Sequence, residues 1–264
     1  MQTRLFPSAK TIIGMIHVGA LPGTPRHTEP LAKIIARAVR EARLYRETGI
    51  DGIAIENMHD LPYLRGAVGP EIVAAMTLVG AAVKSEFKKT VGLQILAGAN
   101  REAMATAHTA GLDWIRVEGF AFAHIADEGF IQSCAAELLR YRKQIGAENV
   151  QVWADIKKKH SSHAITADIS LAETAHAAEF MCADALIVTG TATGRAPLPA
   201  DVKSARTGSK LPLILGSGID PANIGKFLPH ADAFIIGSYF KKDGYWENEV
   251  DASRVEKFLK QINK

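Results

Sequence analysis

Several short stretches of the chain bring acids and nitrogen bases together where apolar runs end. Ala154-Asp155-Ile156-Lys157-Lys158-Lys159-His160 closes one run with an acid, three lysines and a histidine. Arg116-Val117-Glu118 closes another, Glu56-Asn57 a third, and His17 ends the first. On an extended strand, side chains two positions apart share a face, so Asp155, Lys157 and Lys159 are expected to project together and Lys158 to the other side. An ion pair of Asp155 with Lys157 would keep that lysine charged and oriented. A lysine so placed could act as general acid, stabilise an enolate or, if desolvated, form a Schiff base. Arg116 could grip a carboxylate or phosphate through two parallel hydrogen bonds, with Glu118 as a base on the same face. The structural alternative is a set of buried ion pairs that satisfy one another, with Lys158 and Lys159 solvated. Of the neighbours Glu56 and Asn57, only one can face inward. Asp155, Lys157, Glu118 and Glu56 are the expected catalytic set.

Two glycine-bearing strand ends suggest an anion. Leu215-Gly216-Ser217-Gly218-Ile219-Asp220 and Ile236-Gly237-Ser238 close two late apolar runs. Phosphate needs backbone N–H groups at close approach, which glycine permits. Gly216, Gly218, Gly237 and Ser238 are the expected phosphate contacts, unless the glycines merely make tight turns. Val188-Thr189-Gly190-Thr191-Ala192-Thr193-Gly194-Arg195 is a third glycine-rich loop, suited to covering a ligand. No GxxxxGK[ST] occurs, so a P-loop is not indicated. His17, His59, His124 and the histidines of His160-Ser161-Ser162-His163, with Glu56 or Glu118, raise a divalent ion as an alternative. Their loop spacing is not a metal signature, so no metal site is assigned and no cofactor is firmly implied.

The elements that must position these groups alternate regularly. Apolar, β-branched runs occupy 11–18, 52–57, 91–97, 113–119, 150–157, 185–190, 212–218 and 233–238, separated by segments of helical spacing such as 31–49 and 70–87. Runs free of charge until their C-terminal ends are the pattern of strands buried on both faces. Eight strand–helix units without a linker predict one α/β domain over 1–264, a (β/α)8 TIM barrel, with a doubly wound open sheet as the alternative. Barrels gather function at the C-terminal strand ends, which makes His17, Asn57, Asn100, Arg116, His160, Thr189 and Ser217 candidate substrate contacts.

The 264 residues carry a net charge of +3, from 31 basic and 28 acidic side chains, too small an excess to argue for nucleic acid. Hydrophobic residues make up 47%, enough for a sizeable core. No apolar stretch of about 20 residues is present for membrane insertion, and the first apolar run, broken by Gly14, His17 and Gly19, reads as a strand rather than a secretory leader. Two cysteines without a CxxC fit a reducing cytoplasm. A homo-oligomer is compatible with these features.

Six stretches together resemble the BtpA/SgcQ family over nearly the whole chain: IIGMIHVGALPGTPRH (12–27), DGIAIENMHDLPY (51–63), GLQILAGAN (92–100), WIRVEGF (114–120), ADIKKKHSSH (154–163) and VTGTATG (188–194). The resemblance implies a TIM barrel. It also implies either sugar metabolism, since some members sit beside sugar-transport and sugar-metabolism genes, or photosystem I biogenesis, with which others are linked. No catalytic residue set comes with it. A fainter likeness joins ADIK to the Asp-x-Lys element of orotidine-monophosphate-decarboxylase-like enzymes. The second acid expected three residues beyond that lysine is His160 here, which speaks against decarboxylation but not against a phosphate site. The expectation is an enzyme acting on a small phosphorylated sugar or nucleoside metabolite, by isomerase, epimerase, aldolase or glycosidic-bond hydrolase chemistry. The alternative is a non-catalytic assembly or regulatory factor of the photosystem or membrane-biogenesis type.

Overall fold

Strands buried on both faces can satisfy their backbones only by pairing, and here the pairing closes on itself. The computed structural model of the chain describes residues 10–262. In chain order the elements are β1 (Thr11–His17), α1 (Leu31–Glu47), β2 (Gly52–Glu56), α2 (Pro70–Phe87), β3 (Thr90–Gln94), α3 (Asn100–Thr109), β4 (Trp114–Val117), β5 (Ala123–Ala126), β6 (Gly129–Gln132), α4 (Ala135–Gln144), β7 (Gln151–Lys157), β8 (Ser161–Ser162), α5 (Leu171–Phe180), β9 (Ala185–Thr189), α6 (Pro199–Gly208), β10 (Leu213–Gly216), β11 (Ala233–Ile236) and α7 (Ala252–Ile262). Eight of the strands form a closed parallel barrel in the order β1-β2-β3-β4-β7-β9-β10-β11, with β11 returning to β1. The expected TIM barrel is therefore the fold, and the open sheet is not.

Side chains of alternate strand residues fill the barrel. Trp114 and Trp153 stack there at 3.8 Å and 10° between ring planes, with Ile13, Met15, Ile187, Ile214 and Ile235 packed around them. Gly92 makes room for this pair, because a Cβ on it would fall 2.1 Å from Trp114. Outside the barrel, the buried stripes of the helices cover the other strand face, as Met76, Val79, Val83 and Phe87 of α2 do.

Four aspartates secure the N-terminal end. Asp51, Asp113, Asp184 and Asp232 each stand immediately before a strand, and each accepts a hydrogen bond from the backbone near the start of the preceding barrel strand. The donors are the N–H groups of Ile12, Val91, Val152 and Leu213, at 2.7 to 2.8 Å. Lys84, Arg142 and Arg206 add a cation to the last three. The sequences Ile50-Asp51-Gly52-Ile53, Leu112-Asp113-Trp114-Ile115, Ala183-Asp184-Ala185-Leu186 and Ala231-Asp232-Ala233-Phe234 carry this device at every second strand.

Two segments depart from the sequence expectation. Residues 221–228 form only a 3-10 turn at Ile224–Lys226 instead of a helix. Asp220 Oδ1 accepts from the N–H groups of Ala222 and Asn223, while Asn223 bonds back to Asp220 and Gly218. These local side-chain bonds supply partners that a helix would otherwise provide. The second departure is the antiparallel hairpin β5–β6, inserted between β4 and α4 and extended by β8. Its Ile131 packs beside Gly98 and Gly119, which puts the hairpin on the C-terminal rim. Among the described residues no helix is long and apolar enough to cross a membrane. Both cysteines are free thiols.

The basal aspartates can be tested singly. Asp113→Ala leaves the buried Val91 N–H without its acceptor and Lys84 without its partner, which should cost about 1–3 kcal/mol in urea unfolding. Asp113→Asn should recover part of that loss, because its amide oxygen can still accept from Val91.

Candidate active site

The strand ends at the C-terminal mouth bring most of the expected ring together, in an arrangement set by one irregularity. β7 pairs with β9 at Asp155–Ile187 and then at Lys157–Val188, so one extra residue is accommodated on β7. Such a bulge re-aims the side chains that follow it. Asp155 stays inside, buried, and its carboxylate accepts from Arg116 Nε and Nη2 at 2.8 and 3.1 Å. Lys157 does not join it. Its Nζ lies 2.6 Å from Asp201 in the first turn of α6, partly exposed. The expected Asp155–Lys157 pair is thus corrected, since Arg116 takes Asp155 and Asp201 takes Lys157.

Lys158, expected to face away, turns inward instead. It is buried, with Nζ 2.9 Å from Glu118 Oε2. Glu118 Oε1 also accepts from Gln94 at 2.7 Å. Burial alone would discharge Lys158, but Glu118 outweighs it and holds the ammonium above its ordinary range. Burial likewise raises Glu118, against the pull of Lys158. Lys159 reaches the cavity at the mouth, where its Nζ meets Thr193 Oγ1 at 3.4 Å.

That cavity encloses about 390 Å³, counting its open side. His17, Glu56, Arg116 and Lys159 supply its charged or titratable groups, and Gly237, Ser238, Ser217 and Gly218 line it from the β10 and β11 ends. Thr193 and Gly194 add the glycine-rich loop after β9. Glu56 is 3% exposed and, among the described residues, its carboxylate has no hydrogen bond or ion pair. Lys159 has no ion pair either. Burial, opposed by Glu56 and assisted by Arg116, lowers its pKa. His17 Nδ1 lies 2.8 Å from the Trp246 carbonyl, so it carries the proton and donates it there. Burial and then Lys241 push its pKa well below the usual histidine value. The imidazole is neutral, and Nε2 is left as an acceptor.

Other expected contacts serve the frame. Asn57 donates to Asp60 at 2.8 Å and accepts from the Leu96 N–H at 2.8 Å, so it is Glu56 of that pair that faces the cavity. Asn100 braces the Glu118 backbone through both ends of its amide. Thr189 Oγ1 donates to the Lys157 carbonyl at 3.0 Å. His160 is exposed and holds Thr193, while Ser217 Oγ ties down the same loop through Ala192 and Gly194. Gly216 lies below the cavity against Thr189. Gly218 has φ +62, and the place of its missing Cβ is taken by the Arg195–Ala196 backbone, 2.1 Å away. Of the three, only Gly237 leaves ordinary van der Waals room for a Cβ, which would stand 3.6 to 3.7 Å from Met15 and His17. No group of three or more metal-ligating side chains comes together among the described residues; His124 pairs with the His163 ring at 5.4 Å instead.

The profile of the BtpA family matches residues 8–264. The chain belongs to the BtpA family. Among its BtpA-like relatives, an uncharacterized mitochondrial protein of Caenorhabditis elegans is 46% identical over 99% of this chain and 96% of its own. The photosystem I biogenesis protein BtpA of Synechocystis is 33% identical over 97% of this chain and 89% of its own. Solved structures similar to this BtpA-family barrel include thiamine phosphate pyrophosphorylase from Pyrococcus furiosus, with a TM-score of 0.57 at 13% identity over 97% of this chain and 96% of that one. Orotidine 5'-monophosphate decarboxylase from Methanocaldococcus jannaschii follows at 0.55 and 14%, over 95% and 97%. At such identities the likeness is one of fold.

The reversed roles of the lysines predict reversed costs. Lys158→Ala strands a buried carboxylate and should destabilise by about 3–5 kcal/mol, whereas Lys157→Ala should cost less than about 1 kcal/mol. In Lys158→Ala, Glu118 has a folded pKa still further above its unfolded value of about 4.3. Such a group stabilises below its unfolded pKa, and the benefit is lost as pH rises through the folded one. Urea midpoints should therefore show the cost shrinking from neutral pH toward about pH 4, as Glu118 takes up its proton.

Proposed function

We propose that this BtpA-family protein is an enzyme acting on a small phosphorylated sugar or nucleoside metabolite, bound at the C-terminal mouth of the barrel. The observation that carries the proposal is the cavity, where Gly237 and Ser238 face an unpaired acid, Glu56, and an unpaired lysine, Lys159. Glu56 feels the positive charges of Lys159 and Arg116 but touches neither, an arrangement a scaffold does not need. A substrate offers the missing partners.

The phosphate would lie against Gly237 and Ser238, where the backbone can be approached closely, a placement barrels often use at the last two strands. Glu56 would serve as general acid or base, and neutral His17 would accept a hydrogen bond from a substrate hydroxyl. Arg116 has two nitrogens occupied by Asp155 and keeps Nη1 for the ligand. The solved barrels named above are, by their titles, enzymes of phosphorylated compounds, in keeping with that substrate class. The free thiols suit a reducing compartment such as the cytoplasm.

The name of the Synechocystis relative favours a second reading, in which the barrel acts in assembly without catalysis. Thermal unfolding separates the two. Inorganic phosphate or ribose 5-phosphate at tenfold excess over Kd should raise Tm by roughly 3–6 °C. Gly237→Ala should fold normally, because its Cβ meets only ordinary contacts, and should weaken the shift. Gly237→Val should remove it. A wild-type Tm indifferent to phosphorylated compounds would leave the assembly reading.

A further inference from the structure

Three consecutive lysines end β7, and the structure gives each a different fate. Lys157 pairs with Asp201 and Lys158 with Glu118. Lys159 alone enters the cavity, with a hydroxyl as its polar contact and no carboxylate in reach of an ion pair. The charged or titratable groups that face it come from different elements: His17 from β1, Glu56 from β2, Arg116 from β4, Glu118 beyond β4, Asp155 from β7 and His160 after it, which shares the Thr193 hydroxyl. Two of those acids are occupied, Asp155 by Arg116 and Glu118 by Lys158. Glu56 is the one acid in the cavity left to exchange protons.

Resting on the phosphate reading above, we infer that Lys159 is an imine-forming nucleophile, whose Nζ attacks the carbonyl carbon of a phosphorylated aldehyde or ketone anchored at Gly237 and Ser238. A free amine is needed for that attack. Burial together with the positive charge of Arg116 favours the neutral form of Lys159, while Glu56 opposes it. The nearby Lys158 is held charged by contact with Glu118 and cannot substitute.

The step balances within the cavity. The lysine lone pair forms the N–C bond, the carbonyl π pair moves to oxygen, and a proton lost from nitrogen neutralises that oxygen, giving a carbinolamine. Glu56, which takes up the proton Lys159 sheds on becoming a free amine, passes it to the hydroxyl, which leaves as water while the nitrogen lone pair closes the C=N bond. The iminium then accepts the electron pair released when a proton or a carbon fragment departs from the neighbouring carbon. Reprotonation and addition of water restore Lys159. No redox partner is consumed. This narrows the chemistry to isomerisation, epimerisation or aldol cleavage beside a carbonyl, and excludes hydrolysis of a closed glycoside.

Trapping tests the imine directly. The full chain is incubated with pyridoxal 5'-phosphate or ribose 5-phosphate, reduced with sodium borohydride, and examined by intact mass and peptide mapping. A single secondary-amine adduct at Lys159 is expected. Its yield should fall at least tenfold with unphosphorylated pyridoxal or ribose, or with saturating inorganic phosphate. Lys159→Arg and Lys159→Met should lose the adduct while retaining the thermal shift with inorganic phosphate. Glu56→Gln should slow trapping at least tenfold at the same residue. The trapping rate should reach half its high-pH limit below the ordinary lysine pKa. Adducts absent or scattered over surface lysines, with the phosphate shift intact, would overturn the imine and leave the phosphate site standing. Loss of the phosphate shift in Lys159→Met without any wild-type adduct would make Lys159 an anion ligand and overturn the imine as well. If the wild type shows neither adduct nor shift, both readings fall.

Discussion

The bidentate contact between Arg116 and Asp155 is the interaction on which the barrel mouth depends. Both side chains are buried, above a plug of stacked tryptophans that admits little water. An ion pair in such a place is poor evidence of net stability, since removing two charges from water costs several kcal/mol per ion. Its value is geometric. The planar guanidinium fixes Asp155 across the barrel from β4 to β7 and uses up the acid that the lysines of β7 would otherwise compete for. Lys158 then closes on Glu118, Lys157 turns out to Asp201, and Lys159 is left to the cavity.

The two ends of the barrel divide stability and chemistry in physical terms. At the base, four aspartates accept backbone hydrogen bonds, and three of them also hold cations. Every charge described there has a partner and a solvated edge. At the mouth, the buried Glu56 carboxylate feels Lys159 and Arg116 but contacts neither. The loop 190–195, pinned by Ser217 and His160, completes the wall from the β9 side.

Much of the fold was legible because buried parallel strands leave a plain trace, eight charge-free runs whose polar residues come last. The closed order, the inward placement of His17, Arg116 and Asp155, and the glycine-rich walls of the cavity follow from that trace, whereas the choice between Glu56 and Asn57 does not. What escaped was local. Strand alternation presumes an unbroken pleat, and the residue accommodated between Asp155 and Lys157 breaks it, which reversed the assignments of Lys157 and Lys158. The hairpin over Ala123–Gln132 is short, and its alternation, Ile125 and Phe130 exposed against buried His124 and Ile131, is weak beside the barrel strands. Asn57, Asn100 and Thr189 stand at strand ends as ligand contacts would, yet their hydrogen bonds are spent on backbone and neighbouring side chains. Nothing in a residue's type distinguishes an amide that braces a loop from one that reads a substrate.

The same competition of terms explains why one stretch carries three lysines. Moving an ammonium out of water costs several kcal/mol, and a carboxylate at about 4 Å returns roughly 4 kcal/mol where the effective dielectric is near 20. For Lys158, with Glu118 at 2.9 Å, contact wins and the charge stays. For Lys159, with acids near enough to feel but none in contact, burial wins and the pKa falls. Neighbours in sequence with identical side chains are therefore driven in opposite directions by a difference of a few ångströms in where a carboxylate lies. The bulge in β7 sets that difference. A regular strand would direct Lys157 toward Asp155, where the ion pair would hold its amine protonated and unreactive. By leaving Asp155 to Arg116 and Glu118 to Lys158, the mouth spends its other cations on its acids and frees the last lysine from direct neutralisation.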